Sequence, residues 1–200
     1  MLRVYGDIQS GNCYKVKLLL SHLALPHEWV FTDTRKGETR TPEFLAKNPN
    51  GRIPLLEYEA GQYLPESNAI LYYLAEGTAY LPQDRLARAQ VLQWMFFEQY
   101  SHEPYIATSR YYLHFLGQGE KYKEEIERRR KPGYAALGVM ESRLSGRQYL
   151  VAERYTIADV ALYAYTHVAH EGGFDLAAYP AVRDWLARVK AQPGHVTMAG

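Results

Sequence analysis

The sequence predicts two domains of different class, an α/β domain followed by an all-α domain. Up to Gly77, short strand patterns alternate with helical patterns, whereas no convincing strand pattern appears after it. A length of 200 residues allows one or two domains, and 47% hydrophobic with 22% charged residues excludes intrinsic disorder and a fibrous repeat. We therefore assign residues 1–77 to the first domain, 78–86 to a linker and 87–200 to the second.

The elements of the first domain are predicted in the order βαβαββα. Its first helix has apolar residues at helical spacing from Val16 to Leu23 and stops before Pro26. The second helix has Thr41 as its cap and Pro42 at its first position, and the following NPNG turn ends it. The predicted strands are residues 2–5, 27–32, 53–58 and 62–64. The first helix is predicted at residues 12–25 and the third at residues 67–76.

The second domain is predicted to contain four helices. Aromatic and apolar residues three or four apart from Trp94 to Phe115 indicate one face of a long helix, which the GQG turn at 117–119 ends. The other predicted helices are residues 120–144, with Pro132 bending the chain, 156–171 and 179–192. Thr156 and Asp159 have the spacing of a capping box, so we give Asp159 a structural role and no catalytic one.

Charge and cysteine content exclude several classes of function. The net charge is +1, and the basic run at 128–131 follows three glutamates on one helix, which argues against a nucleic-acid partner. No apolar run approaches the ~20 residues of a membrane span and the start has no signal-peptide pattern, so we expect no membrane association and a cytoplasmic location. Cys13 is the only cysteine, which excludes an internal disulfide and a cysteine zinc site, and we expect no metal.

Three local patterns each have a structural and a binding interpretation. Ile53-Pro54 is either a trans proline at a strand entrance or a cis proline that turns the Ile53 backbone toward a peptide-like ligand. Glu66 and Ser67 are either a helix cap and an early-turn acid, or a pair that binds the ammonium and carboxylate groups of a ligand. Ser10 is either a helix N-cap or a group that acts on a thiolate held at the helix start.

The segments SGNCYKVKLLL, NPNGRIPLLE, PESNAILYYLA and YTIADVALY, in this order, resemble the cytosolic glutathione S-transferases. The likeness covers essentially the whole chain and is of the bacterial type with a serine-type active site. It implies a thioredoxin-like first domain that binds glutathione as co-substrate, and a homodimer. It also implies a hydrophobic co-substrate pocket between the first domain and the long helices.

By this resemblance, Ser10 is the hydroxyl that hydrogen-bonds to the glutathione sulfur, and Asn12 lies near that sulfur. Cys13 and Tyr5 remain alternatives, because other members use a cysteine near this helix start or a tyrosine in the first strand. Cys13 lies three residues beyond Ser10, so it can instead pack in the core as a small buried residue.

The resemblance assigns the remaining contacts to two other segments. Ile53, followed by a cis Pro54, pairs with the cysteinyl backbone of glutathione. Glu66 and Ser67 hold the γ-glutamyl end, and Arg52 is a candidate for the glycine carboxylate. On the long helix, four residues are either pocket residues for a hydrophobic electrophile or members of the core: Tyr105, Ser109, Tyr112 and Leu113.

The resemblance thus implies a glutathione transferase that activates the glutathione thiol for attack on a hydrophobic electrophile. Two alternatives remain. One is other glutathione chemistry, namely peroxide reduction, dehalogenation, isomerisation or disulfide reduction, which would share the thiolate. The other is a non-catalytic binding module with the same fold.

Overall fold

The structure is a computed structural model, and it describes residues 1–198. The chain forms two compact units, one of Met1–Gly77 with the segment from Pro193 onward, the other of Thr78–Gln192. The sequence placed everything after residue 87 in the helical domain, so the return of the chain to the first unit at Pro193 is a difference from that assignment.

The first unit contains a four-stranded mixed sheet in the order β2-β1-β3-β4. Strand β1 is parallel to β2 and antiparallel to β3, and β3 is antiparallel to β4. Val4 and Tyr5 of β1 are both buried, on opposite faces of the sheet. The strands are β1 (Leu2–Gly6), β2 (His27–Phe31), β3 (Leu55–Glu59) and β4 (Gln62–Pro65).

Three helices accompany this sheet: α1 (Gly11–His22), α2 (Pro42–Leu45) and α3 (Ser67–Ala75). Helix α1 contacts α3, and both bury apolar residues such as Leu19 and Ile70. Helix α2 starts as predicted, since the Thr41 hydroxyl accepts a hydrogen bond from Phe44 N at 3.2 Å. Phe44 then packs edge-on against Tyr5. The predicted element order is confirmed, and a short 3₁₀ helix at Glu38–Arg40 is added to it.

The second unit is all-helical, as predicted. Its α-helices are α4 (Arg85–Phe97), α5 (Glu103–Arg110), α6 (Lys123–Leu144), α7 (Ile157–Thr166) and α8 (Pro180–Lys190). The predicted long helix runs to Phe115 but includes π-helical segments at Glu98–His102 and Tyr111–Phe115. The first π segment ends two residues before Pro104, which has no N–H to donate to a carbonyl one turn earlier.

Three predicted helices of the second unit are shorter than expected, and the last of them spans Pro180–Lys190 instead of residues 179–192. Helix α6 begins at Lys123, and Pro132 lies inside it. Helix α7 ends at Thr166 and is followed by a 3₁₀ helix at Ala169–Gly172. Close packing explains the glycine at 133, because a Cβ there would lie 2.4 Å from the Phe174 ring. Phe174 belongs to a core cluster whose other buried members are Ile106, Ala107, Leu137, Tyr165 and Ala169.

The capping box of α7 is present. Asp159 accepts hydrogen bonds from Thr156 N at 2.9 Å, from the Thr156 hydroxyl at 3.1 Å, from Leu150 N at 3.1 Å and from Trp185 Nε1 at 2.9 Å. Burial raises the pKa of Asp159 to about 6, although these donors favour the ionised form. The carboxylate therefore joins α7, α8 and the loop before α7.

Residues 193–198, here called the tail, lie along α1 in the first unit. The Tyr14 hydroxyl donates to Val196 O at 2.8 Å, and the Ser21 hydroxyl donates to Gly194 O at 2.8 Å. The Lys17 ammonium donates to the carbonyls of Thr197 and Met198 at 3.2 Å. Side chains of α1 thus satisfy backbone carbonyls of the tail. Across residues 1–198, no helix has the length and apolar character needed to cross a membrane.

Candidate functional site

Ser10 is the N-cap of α1. Its N–H donates to Asp7 O at 3.0 Å, its carbonyl accepts from Tyr14 N at 2.9 Å, and its hydroxyl oxygen accepts from Cys13 N at 3.4 Å. Ser10 therefore acts as a helix N-cap. The N-cap role does not exclude a role in stabilising a thiolate, because a half-buried hydroxyl can rotate its proton toward an anion. The positive end of the helix dipole also favours negative charge there.

Cys13 lies in the core of the first unit and has no exposed surface. A Cβ at Gly6 would lie 2.9 Å from the Cys13 Sγ, so the thiol is packed closely against β1. Burial raises the pKa of the Cys13 thiol to about 12, and a hydrogen bond with Ser10 opposes this only in part. The structure thus places Cys13 away from the proposed catalytic role and favours the packing alternative.

Tyr5 is also engaged elsewhere. Its hydroxyl donates to Glu57 Oε2 at 3.1 Å and accepts from Lys47 Nζ at 3.3 Å. The pKa of Glu57 lies below its usual range, chiefly because its carboxylate accepts a hydrogen bond from Gly61 N–H. Hydrogen bonds from the Tyr5 and Arg3 side chains lower it further. Tyr5 is a buried member of a charged network on the sheet, which argues against a catalytic role.

The start of α3 lies beside the start of α1. The Ser67 hydroxyl donates to Asn12 Oδ1 at 3.4 Å and accepts from Lys15 Nζ at 3.4 Å. Glu66, which precedes the helix, is exposed and has φ 73°, a conformation rarely adopted by residues other than glycine. Three residues that the sequence singled out, Asn12, Glu66 and Ser67, are thus brought together by the two helix N-termini.

Lys15 is the part of this arrangement that the sequence analysis missed. Its side chain has no exposed surface, although it belongs to the residue types that are almost never fully buried. A signal for it exists in the sequence, because Lys15 stands four residues before Leu19 and next to Val16, within the apolar stripe of α1.

The loop before β3 carries the third group of candidates. Asn48 is buried and orders this loop, since its Nδ2 donates to Arg52 O at 2.8 Å and its Oδ1 accepts from Asn50 N at 3.1 Å. The peptide bond between Ile53 and Pro54 is cis, the second of the two conformations that the sequence left open. Ile53 is half-buried and lies before the start of β3, and Arg52 is exposed.

The four suggested pocket residues of the second unit are engaged in packing to different degrees. Ser109 is fully buried and its hydroxyl donates to Tyr105 O at 2.8 Å within the helix, which favours the core alternative for this residue. The Tyr112 ring stacks on Tyr122 with centroids 4.2 Å apart. Leu113 is half-buried beside Gly119, where a Cβ would approach Leu113 Cδ2 to 2.7 Å.

Family models for the N-terminal and C-terminal domains of glutathione S-transferase match residues 1–76 and 93–193. The chain belongs to the glutathione S-transferase family. This confirms the resemblance found in the four sequence segments, and with it the fold class. Among the described residues, no group of three or more His, Cys, Asp or Glu side chains is placed to hold a metal ion.

Three relatives illustrate the likeness. A crystal structure of a glutathione S-transferase from Pseudomonas fluorescens is 57% identical with a TM-score of 0.98, covering 100% of this chain and 99% of that one. A second family member from that organism, solved with two glutathione molecules bound, is 30% identical with a TM-score of 0.83, covering 96% and 89%. The disulfide-bond oxidoreductase YfcG of Escherichia coli is 33% identical over 189 residues, covering 91% and 87%.

Proposed function

We propose that this protein is a glutathione transferase that binds glutathione on its first unit and activates the thiol through Ser10. The observation that carries the proposal is the hydrogen bond between Ser67 Oγ and Asn12 Oδ1, because it joins the N-termini of α1 and α3. Each helix start attracts negative charge, and glutathione offers a thiolate and carboxylates to such positions. The relative with two bound glutathione molecules supports this choice of ligand.

The candidate residues match the groups of glutathione. The exposed Glu66 carboxylate suits the γ-glutamyl ammonium group, and the Ser67 hydroxyl suits the adjacent carboxylate. The Ile53 backbone, next to the cis Pro54, suits the peptide groups of the cysteinyl residue. The exposed Arg52 suits the glycine carboxylate, and Ser10 with Asn12 at the start of α1 suits the sulfur.

Ser10 has enough interaction energy available to explain activation of the thiol. A free thiol of pKa ~8.5 is only a few per cent ionised at pH 7, and each unit of pKa corresponds to ~1.4 kcal/mol. A hydrogen bond to a charged group contributes roughly 1.5–3 kcal/mol, which makes the thiolate the major species near neutrality. The sulfur then bonds to the electrophilic centre and the leaving group departs with the electron pair.

The Ser10→Ala substitution tests this assignment through the pH dependence of conjugation to an aryl halide. Without the hydroxyl, the pKa of bound glutathione should rise by about 1–2 units, and the rate at pH 7 should fall about 10–30-fold with the thiolate fraction. The rate should recover in part at high pH, where solvent removes the proton. Ser10→Thr, which keeps a hydroxyl, is the matched control. An unchanged pH profile in Ser10→Ala would remove Ser10 from the mechanism.

A second candidate function is glutathione-dependent disulfide reduction, which the similarity to YfcG favours. The same thiolate would attack a disulfide sulfur, forming a glutathione mixed disulfide and releasing the other half as a thiolate. Because Cys13 is buried, this reaction would use the glutathione sulfur and not a protein thiol. Parallel assays with an aryl halide and a small dialkyl disulfide decide between the two functions.

A further inference from the structure

Lys15 is a buried cation in direct contact with the hydroxyl of Ser67. Its Nζ lies 3.4 Å from Ser67 Oγ, and its side chain is among the largest fully buried ones in the described part of the chain. A buried ammonium group is costly unless its charge is compensated. The charge of Lys15 sets it apart from its apolar neighbours Val16 and Leu19 on the same helix.

The contact with Lys15 fixes the direction of the Ser67 proton. An ammonium group has only donors, whereas a hydroxyl has one proton and two lone pairs. Because Lys15 takes a lone pair of Ser67 Oγ, the hydroxyl proton points away from Lys15. Asn12 Oδ1, 3.4 Å from Ser67 Oγ, accepts this proton in this structure, and a bound carboxylate would accept it in place of Asn12. Lys15 thereby polarises the hydroxyl and makes it a donor toward the helix starts.

Three sources of positive potential meet here. The N-termini of α1 and α3 each carry roughly half a positive charge, and the buried Lys15 ammonium adds a further positive charge beside them. An oxygen anion that accepts from Ser67 is favoured by all three. A neutral or positively charged group in the same position is not.

We propose that Lys15 is a positioning residue that makes the Ser67 hydroxyl selective for a carboxylate. Within the proposed function, on which this inference rests, that group is the α-carboxylate of the γ-glutamyl residue. Lys15 does not touch the ligand, since it has no exposed surface, and it acts through Ser67. It therefore determines which thiol peptides bind, while Ser10 determines the reactivity of the sulfur.

The test compares two ligands on three proteins by calorimetry. One ligand is glutathione, and the other is the analogue with a γ-aminobutyryl group in place of γ-glutamyl, which lacks only the α-carboxylate. Lys15→Met removes the charge but keeps a long apolar stem. Lys17→Met is the matched control, because it removes an equal charge from α1 at a position where the ammonium donates to the carbonyls of Thr197 and Met198 in the tail.

In Lys15→Met the Kd for glutathione should rise at least about tenfold, while the Kd for the analogue stays within about twofold. Lys17→Met should leave both values unchanged. An equal loss for both ligands would reduce Lys15 to a structural residue and overturn the proposal, as would an unchanged Kd for glutathione. Wild-type protein that binds neither ligand would instead refute the proposed function, which is a separate result.

Lys15→Gln, which is polar and uncharged, provides a second variant if Lys15→Met does not fold. If neither variant folds, the wild-type protein decides by itself. Its Kd for glutathione must then be at least about tenfold lower than its Kd for the analogue. Equal values would overturn the proposal.

Discussion

At the residue scale, burial separates the site candidates that the sequence left as alternatives. The helical pattern was sufficient to predict that Ser10 and Ser67 stand at helix starts. It was not sufficient to predict whether the Cys13 side chain is buried, because the first turn of a helix has both a buried and an open side. Which side faces the sheet depends on tertiary packing, and the Cys13 thiol lies against Gly6 of β1.

Cys13 should behave as an unreactive thiol. Because burial raises its pKa to about 12, the thiolate is a minute fraction at pH 8, and a maleimide should label native protein at least about 100-fold more slowly than urea-unfolded protein. The Cys13→Ala variant should retain conjugation activity, measured by the aryl-halide assay. A glutathionyl adduct on Cys13 of the native protein, detected by mass spectrometry together with lost turnover in Cys13→Ala, would contradict this.

At the element scale, the predicted order of strands and helices is confirmed, and the differences concern long-range contacts. Local signals such as Thr41 before Pro42 located helix starts well, because a cap acts within a few residues. The end of α7 at Thr166 and the return of the tail to α1 had no local signal. The tail is held by Tyr14, Lys17 and Ser21, which lie far away in sequence.

The carboxylate of Asp159 should be important for the stability of the second unit, because it accepts several hydrogen bonds at the start of α7. The Asp159→Ala substitution removes the acceptor for donors of Thr156, Leu150 and Trp185, so buried donors lose their partner. We expect a loss of roughly 2–5 kcal/mol in the free energy of unfolding, measured by urea denaturation. The exposed Asp175→Ala is a control, since its carboxylate accepts from Ala177 N in a solvated turn.

Glutathione affinity of the folded fraction should be unchanged in Asp159→Ala, because the candidate site belongs to the first unit. Native-like unfolding combined with lost conjugation activity would show instead that Asp159 has a direct part in the reaction.

At the scale of the whole molecule, the two units carry different parts of the proposed function. The glutathione candidates Ser10, Asn12, Ile53, Glu66 and Ser67 all belong to the first unit. Their residue types suit the chemistry of glutathione, and the resemblance to the family is what assigned them from the motifs. An electrophile of the proposed kind would instead be recognised by shape and apolar surface, for which a stripe such as that around Ser109 is ambiguous until burial is known.

The apolar surface of the second unit predicts a homodimer. On α4 and the π segment after it, Phe96 and Tyr100 are 70% and 84% exposed, and Leu86 is exposed on the same helix. Aromatic residues of this kind are enriched in protein interfaces. Sedimentation velocity at micromolar concentration should therefore give a species of twice the chain mass.

The double substitution Phe96→Glu with Tyr100→Glu tests this interface. It should weaken association by about 2 kcal/mol or more, because charge replaces aromatic contacts. Phe31→Glu, an equal change on the exposed side of β2, should leave the dimer intact. A wild-type species of single-chain mass would exclude the homodimer and leave these aromatic residues as solvent-exposed surface.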